Sequence, residues 1–155
     1  MADQAFGFAP DEIVTSEPTR STRLKWVVVV DDTIGRGPIA NAVACVAAAT
    51  GRPVDGLIAH GGPDASGQGH PGLPWAGCSI LAASPAQLAT VRAKAASVDD
   101  VLVIDMPAAA QTHRVYDHFL AELARTEPDA LSVSAISLVG PRNRVDRMVK
   151  LALLA

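Results

Sequence analysis

The stretch "LKWVVVVDD", Leu24 to Asp32, limits what this chain can fold into more than any other segment. Trp26 to Val30 are apolar without interruption, and a strand with one face in water would alternate apolar and polar residues instead. An unbroken β-branched run belongs to a strand covered on both faces, and covering both faces takes helices. A central strand at 25–31 in an α/β architecture is therefore predicted. The run is too short for a membrane span, which needs about 20 apolar residues, and charges, prolines or glycines interrupt every other apolar run.

The remaining punctuation fits the same plan. Gly37-Pro38 predicts a helix start, because proline at the first helical position gives up a donor that would be unpaired anyway. Ile39, Val43, Val46 and Ala47 share one face of that helix, and Gly51 ends it. "VDGLIAH" is a short apolar piece, and "GGPDASGQGHPGLPWAG" (61–77) is the longest irregular segment. "CSILAAS" is a second strand. Ser84-Pro85-Ala86-Gln87 has the spacing of a capping box, and Leu88, Val91 and Ala95 give its helix an apolar face. "VLVIDM" is a third strand ending near Asp105, and "PAAAQTHRVYDHFLAELAR" reads as one long helix with Tyr116, Phe119, Leu120 and Leu123 inward. "LSVSAISLVG" is a fourth strand. After Gly140-Pro141 a last helix presents Val145, Met148, Val149 and Ala152. The order predicts an α/β sandwich with a mixed or mostly parallel sheet. With 155 residues, one core is expected: a single α/β domain over 23–155, preceded by a flexible arm at 1–22, disordered or loosely docked, that carries Pro10 and Pro18.

A net charge of −3 and a pI near 5.7 exclude any general attraction to nucleic acid, so such contact would have to be local. The strongest basic cluster is Arg142, Arg144, Arg147 and Lys150, which reads equally as a solvated helix face. Cys45 and Cys78 form no CxxC pair and are expected to be buried small apolar residues. The N-terminal residues lack the pattern of a secretory signal, and a cytoplasmic location is expected.

Ligands of open α/β sheets sit beyond the carboxyl ends of the strands. Asp31 and Asp32 stand at that place on the first strand. Gly35-Arg36-Gly37 then enters a helix whose N-terminal N–H groups favour an anion. The GxxxxGK[ST] and GxGxxG spacings are both absent. The same residues also read as a tight turn in which an aspartate bonds local backbone.

The junction "KWVVVVDDTIGRGPIANAV", the segment "GHPGLPWAGCSILAASPAQLATVRAKA", the "AAAQTHRVYDHF" helix and the terminal "ISLVGPRNRVDRMVKLAL" together resemble the bacterial family labelled domain of unknown function two thousand, over about Lys25 to Leu154. That family in turn resembles, in fold, the archaeal and eukaryotic type of peptidyl-tRNA hydrolase. The resemblance implies a three-layer α/β/α sandwich, with a four-stranded mixed sheet of the peptidyl-tRNA hydrolase type II kind, and a homodimer. In those hydrolases the turn resembles G-K-G-K, and its second lysine matters for activity; Pro38 holds that place here. A helix glutamine and histidine become Ala42 and Cys45 or their neighbours, with Asn41 alongside. The aspartate ending the third strand matches Asp105, and a Thr-Gln pair has an inverted counterpart in Gln111-Thr112.

The candidate catalytic residues are thus Asp105, His70 and Asp32. Asp105 either orients a water or caps the next helix. His70 either serves as general acid or base or anchors its loop. Asp31, Gly35, Arg36, Gly37, Asn41, Gln111 and Thr112 are the candidate ligand-binding residues. No metal site and no cofactor is implied. His113 and His118 are five apart and diverge on a helix. Nor does any G-x-S-x-G elbow occur. Three functions remain open: an ester hydrolase acting on acylated tRNA, a small-molecule enzyme or ligand-binding protein on the same fold, and a dimeric interaction module. The first expects a positive surface around Arg36 and 142–150; the second expects a pocket under loop 61–77. All expect Asp31, Asp105, the 35–37 turn and His70 to meet at one rim of the sheet.

Overall fold

The structure is a computed structural model that describes residues 6–155. In chain order it contains β1 (Phe6–Gly7), β2 (Leu24–Asp31), α1 (Arg36–Thr50), β3 (Val54–Asp55), β4 (Gly62–Pro63), β5 (Gly69–His70), β6 (Ser79–Ala83) and α2 (Pro85–Ala96). Then follow β7 (Leu102–Pro107), α3 (Ala109–Thr112), α4 (Tyr116–Leu123), β8 (Val133–Pro141) and α5 (Arg142–Met148).

The main sheet has four strands in the order β6-β2-β8-β7. β6 runs parallel to β2, whereas β8 is antiparallel to both β2 and β7. The sheet is mixed, with β2, β6 and β7 pointing one way and β8 the other. Asp31, Ala83 and Pro107 therefore end at one rim, here the upper rim, beside Val133 at the start of β8. Val27 to Val30 are wholly excluded from solvent, as a strand covered on both faces must be. Trp26, Val28 and Val30 pack with Ala42 and Val46 of α1 on one face. Val27 and Val29 pack with Leu88 and Val91 of α2 and Val145 of α5 on the other. Three layers result. Under α1 the buried polar side chains bond one another: Ser137 accepts from Trp26 Nε1 at 2.8 Å and shares a 2.7 Å bond with Thr50, which also donates to the Val46 carbonyl.

Several expectations need correction. From Phe6 onward, the arm is docked. β1 pairs with β3, and Phe8 is buried edge-on against Trp75 with ring centroids 5.0 Å apart. Arg23 grips Glu12 through Nε at 2.5 Å and Nη2 at 2.9 Å. Residues 1–5 lie outside the described part. α1 buries Ala42, Val46 and Thr50, with Ile39, Val43 and Ala47 as its half-buried flank, so the core-facing stripe is rotated from the expected one. The capping box at Ser84 and Gln87 is present. Segment 61–77 belongs to a hairpin that starts before it: Ala59 and Trp75 donate to Leu73 and Leu57, and β4 pairs with β5. A Cβ on Gly72 would lie 1.7 Å from the Ala59 carbonyl, so glycine is required where the two strands press together.

The long helix after β7 is instead broken in two. Thr112 turns its hydroxyl onto the Ala109 carbonyl, and His113 and Val115 are extended. Threonine and valine are poor helix formers, and here they mark an elbow. Both cysteines are exposed rather than buried. The last helix ends at Met148. Beyond it the chain straightens along the β6 edge, where Ala82 donates to Ala152 and Leu154 to Ile80, leaving Ala152 exposed.

Because Phe8 fills the lower part of the α1 face, Phe8→Ala should lower the stability to urea unfolding by about 2 kcal/mol or more, where an undocked arm would change it by under about 0.5 kcal/mol. Glu12 is held at about 2 rather than 4.5 by its hydrogen bond from Arg23 and, secondarily, from the Ala9 backbone. A lowered folded-state value means that the pair stabilises fully above pH 4.5 and loses its contribution as pH falls toward 2. Between pH 5 and 2, Glu12→Gln should therefore flatten the fall in the urea midpoint relative to the unaltered protein.

Candidate functional site

The predicted site residues fall into separate groups. Asp31 and Asp105 share the upper rim region, but each carboxylate has a partner. Asp31 is buried and accepts from Thr33 N at 2.9 Å and Thr33 Oγ1 at 2.6 Å, which closes the turn after β2. Asp105 accepts from Arg92 Nε of α2 at 2.6 Å, on the α2 side of the sheet. The carboxylate of Asp32 is exposed while its N–H ties the end of β2 to Ala83.

His70 does not join them. Its hairpin leaves the sheet after β3 and returns at the start of β6, so its base is on the lower rim, and among the described residues the His70 side chain is bonded only to Asp64, at 3.4 Å. The hydroxyl and two backbone N–H groups that hold Asp64 (Ser66 and Gln68) also lower its pKa, with His70 contributing least. Among the expectations corrected by the structure is therefore the common cavity of Asp31, Asp105, the 35–37 turn and His70. Gly35, Arg36 and Gly37 are exposed at the start of α1, and a Cβ on Gly37 would meet nothing within 4 Å. Arg36 edges a shallow groove with Ile39, Val43, Ile80 and Leu154, on the flank of α1 that faces β6.

Two predicted residues do meet. Gln111 Nε2 donates to the Pro38 carbonyl at 2.8 Å and to Asn41 Oδ1 at 3.1 Å, while Gln111 Oε1 accepts from the buried Ser134 hydroxyl at 2.7 Å. One amide thus ties α3 to α1 and β8. The chain of donors also fixes the Asn41 amide with its oxygen toward Gln111, leaving Nδ2 free to donate. Thr112, next door, spends its hydroxyl on its own turn.

Beside this cross-brace lies a cleft of about 690 Å³. Along α1, Asn41, Cys45 and Ala49 recur at intervals of four and so form one stripe, with Ala48 beside it. Cys45, Ala48 and Ala49 line one wall; Ile104 and Met106 of β7 form the floor; Phe119, Leu120 and Leu123 of α4 form the other wall. The elbow contributes His113, Arg114 and Tyr116. His113 Nε2 is 2.5 Å from Glu122 Oε2, which braces the elbow. Tyr116, 72% exposed, and Leu120, 42% exposed, were expected inward; they share the face of buried Phe119, but the space they look into is open. Volume and apolar walls place the cleft within the range of small-molecule sites, about 300–1,000 Å³.

Sequence reasoning reached Asn41 and Gln111 but missed the cleft. Spacing of four from Asn41 points to Cys45 and Ala49, but small residues on a helix carry no signal of what they face. The His113–Glu122 pair spans the elbow, so helical spacing could not reveal it. Among the described residues no group of three His, Cys, Asp or Glu side chains is placed to hold a metal ion, and no helix is long and apolar enough to cross a membrane.

Although Cys78 as a residue is exposed, its thiol is perturbed. Protein packed around the Cys78 thiol pushes it up to about 12, with a hydrogen bond involving the Val28 backbone acting the other way. At pH 8 the Cys78 thiolate is scarce, and thiolate is the form that reacts. Iodoacetamide followed by peptide mass analysis should therefore label Cys45 in the cleft wall first, and Cys78 roughly tenfold more slowly or less.

Comparison with known proteins agrees with this architecture. A solved protein of unknown function from Agrobacterium tumefaciens strain C58, Atu0240, superposes with a TM-score of 0.80 at 16% identity, covering 86% of this chain and 98% of its own. At that identity the likeness concerns fold alone. No curated protein matches the sequence. The model of the family described as protein of unknown function, DUF2000, matches residues 24–155, and the chain belongs to that family.

Proposed function

We propose that the protein binds a small organic molecule in the cleft between α1 and the α3–α4 elbow, as a ligand-binding protein or as an enzyme of small-molecule chemistry. The observation that carries this reading is the cleft itself: apolar walls from α1, β7 and α4, with the polar side chains of His113, Arg114 and Tyr116 at the elbow. A concave apolar site with a few convergent polar groups is the usual form of such a site.

Hydrolysis of acylated tRNA on a scaffold akin to peptidyl-tRNA hydrolase is the other reading, and four observations weigh against it. Asp105 and His70 are far apart in the topology, and Pro38 stands in the place of the lysine. Arg36 is at the upper rim while Arg142 follows β8 at the lower one, so they form no continuous positive surface. Within the basic cluster, Arg142 is bound to Thr19 and Thr22, and Arg144 to Asp100. Kinship with that hydrolase would then be one of scaffold, with the four-stranded mixed sheet kept and the chemistry placed elsewhere.

A metabolite screen by thermal shift separates the two readings. A ligand at a hundredfold excess over its Kd should raise Tm by about 8 °C, and Ala49→Trp, which fills the cleft, should abolish that rise. Deacylation of tRNA by the unaltered protein, lost in Asp105→Ala, would instead favour the hydrolase.

A further inference from the structure

Resting on that cleft as the binding site, we infer that its ligand is an amphipathic carboxylate: an apolar body between α1 and α4, with one carboxylate held at the mouth by Arg114. Three charged or titratable wall residues besides Cys45 and Tyr116 bear on this choice. Asp105 turns its carboxylate to Arg92 on the α2 side of the sheet, away from the cleft, and His113 is engaged by Glu122. Arg114 is exposed, and its side chain makes no hydrogen bond or ion pair among the described residues. It stands in the elbow between His113 and Val115, both extended, and the next two residues, Val115 and Tyr116, expose apolar surface. A guanidinium beside apolar surface is less screened than one in open water, so it attracts an anion more strongly there.

The head group follows from charge and shape. A guanidinium presents a planar fork of donors that matches a carboxylate in two parallel hydrogen bonds. A dianionic phosphate would bring a second negative charge, and among the cleft-lining residues no second cation is unpaired to meet it. The body follows from the walls: Ala48, Ala49, Ile104, Phe119 and Leu123 offer contact area but no hydrogen-bonding side chains.

Cys45 supplies the readout, because an occupant of the cleft shields its thiol from alkylation. The probes are decanoate, decanol and decylamine, each below its aggregation concentration, with the rate of Cys45 labelling measured by peptide mass analysis. Decanoate should protect at concentrations about tenfold lower than decylamine. Arg114→Gln should cut the advantage of decanoate over decanol by about tenfold, whereas Arg147→Gln, which removes the same charge at the other end of the molecule, should leave it intact. Decylamine matching decanoate, or an advantage over decanol that survives Arg114→Gln, would overturn the carboxylate while leaving the cleft as the binding site. Should none of the three probes protect Cys45, the cleft reading and the carboxylate would fall together.

Discussion

The burial of β2 and β8 on both faces is the constraint on which the rest of the molecule depends. Val27 to Val30 and Ala135 to Leu138 have almost no contact with water, so each face of the sheet needs a helical cover. Four strands span roughly 14 Å between the outer axes, and a helix covers about 10 Å. The face under α2 and α5 has two helices. The other face has α1 alone over its middle, and the deficit is made up in pieces: Phe8, Leu57 and Trp75 toward the lower rim, and the α3–α4 elbow beyond β7. Where those pieces do not meet α1, a cleft is left. It is thus a consequence of how a four-stranded sheet is covered by one and a half helices, and its floor is the same β7 strand that closes the core.

Gln111 sets the spacing of that gap. Its amide reaches α1 through Pro38 and Asn41 and β8 through Ser134, so α3 cannot slide along α1 without breaking bonds to two elements. Neutral hydrogen bonds of this kind contribute only about 1 kcal/mol each, so the value of the brace lies in geometry more than in stability. Two of the candidate carboxylates have partners of the kind common in α/β proteins: Asp31, picked out for ligand binding, closes a turn, and Asp105, picked out for catalysis, pairs with an arginine that is partly exposed, a contact worth little in stability.

The four main strands, α2 with its capping box, and the start of α1 were legible in the sequence because each rests on local signals: an apolar run, Ser-Pro-x-Gln, Gly-Pro. What escaped depended on contacts between distant segments. The arm carries no sustained period, yet Phe8 finds Trp75, 67 residues away, and that one aromatic contact docks it. The 61–77 segment is full of turn formers because Gly61 and Gly72 let two backbones press together, not because it covers a site. In α4 the apolar stripe of Tyr116, Phe119, Leu120 and Leu123 was correctly read as a face, but a stripe does not reveal whether it meets a packed neighbour or an opening. The site itself was half legible. Asn41 and Gln111 could be picked out as polar residues near a strand end; Cys45, Arg114 and the His113–Glu122 brace became visible only when the elbow brought them to one cleft.

Side-chain and amide chemical shifts recorded during titration with a mixed fragment library test the central claim most directly. On this account, the perturbed resonances cluster at Cys45, Ala48, Ala49, Ile104, Phe119 and Leu123, and spread to the Asn41 and Gln111 side-chain amides. Perturbations confined to the hairpin around His70, or to the turn at Asp31 to Gly37, would contradict it and return the functional site to the strand ends.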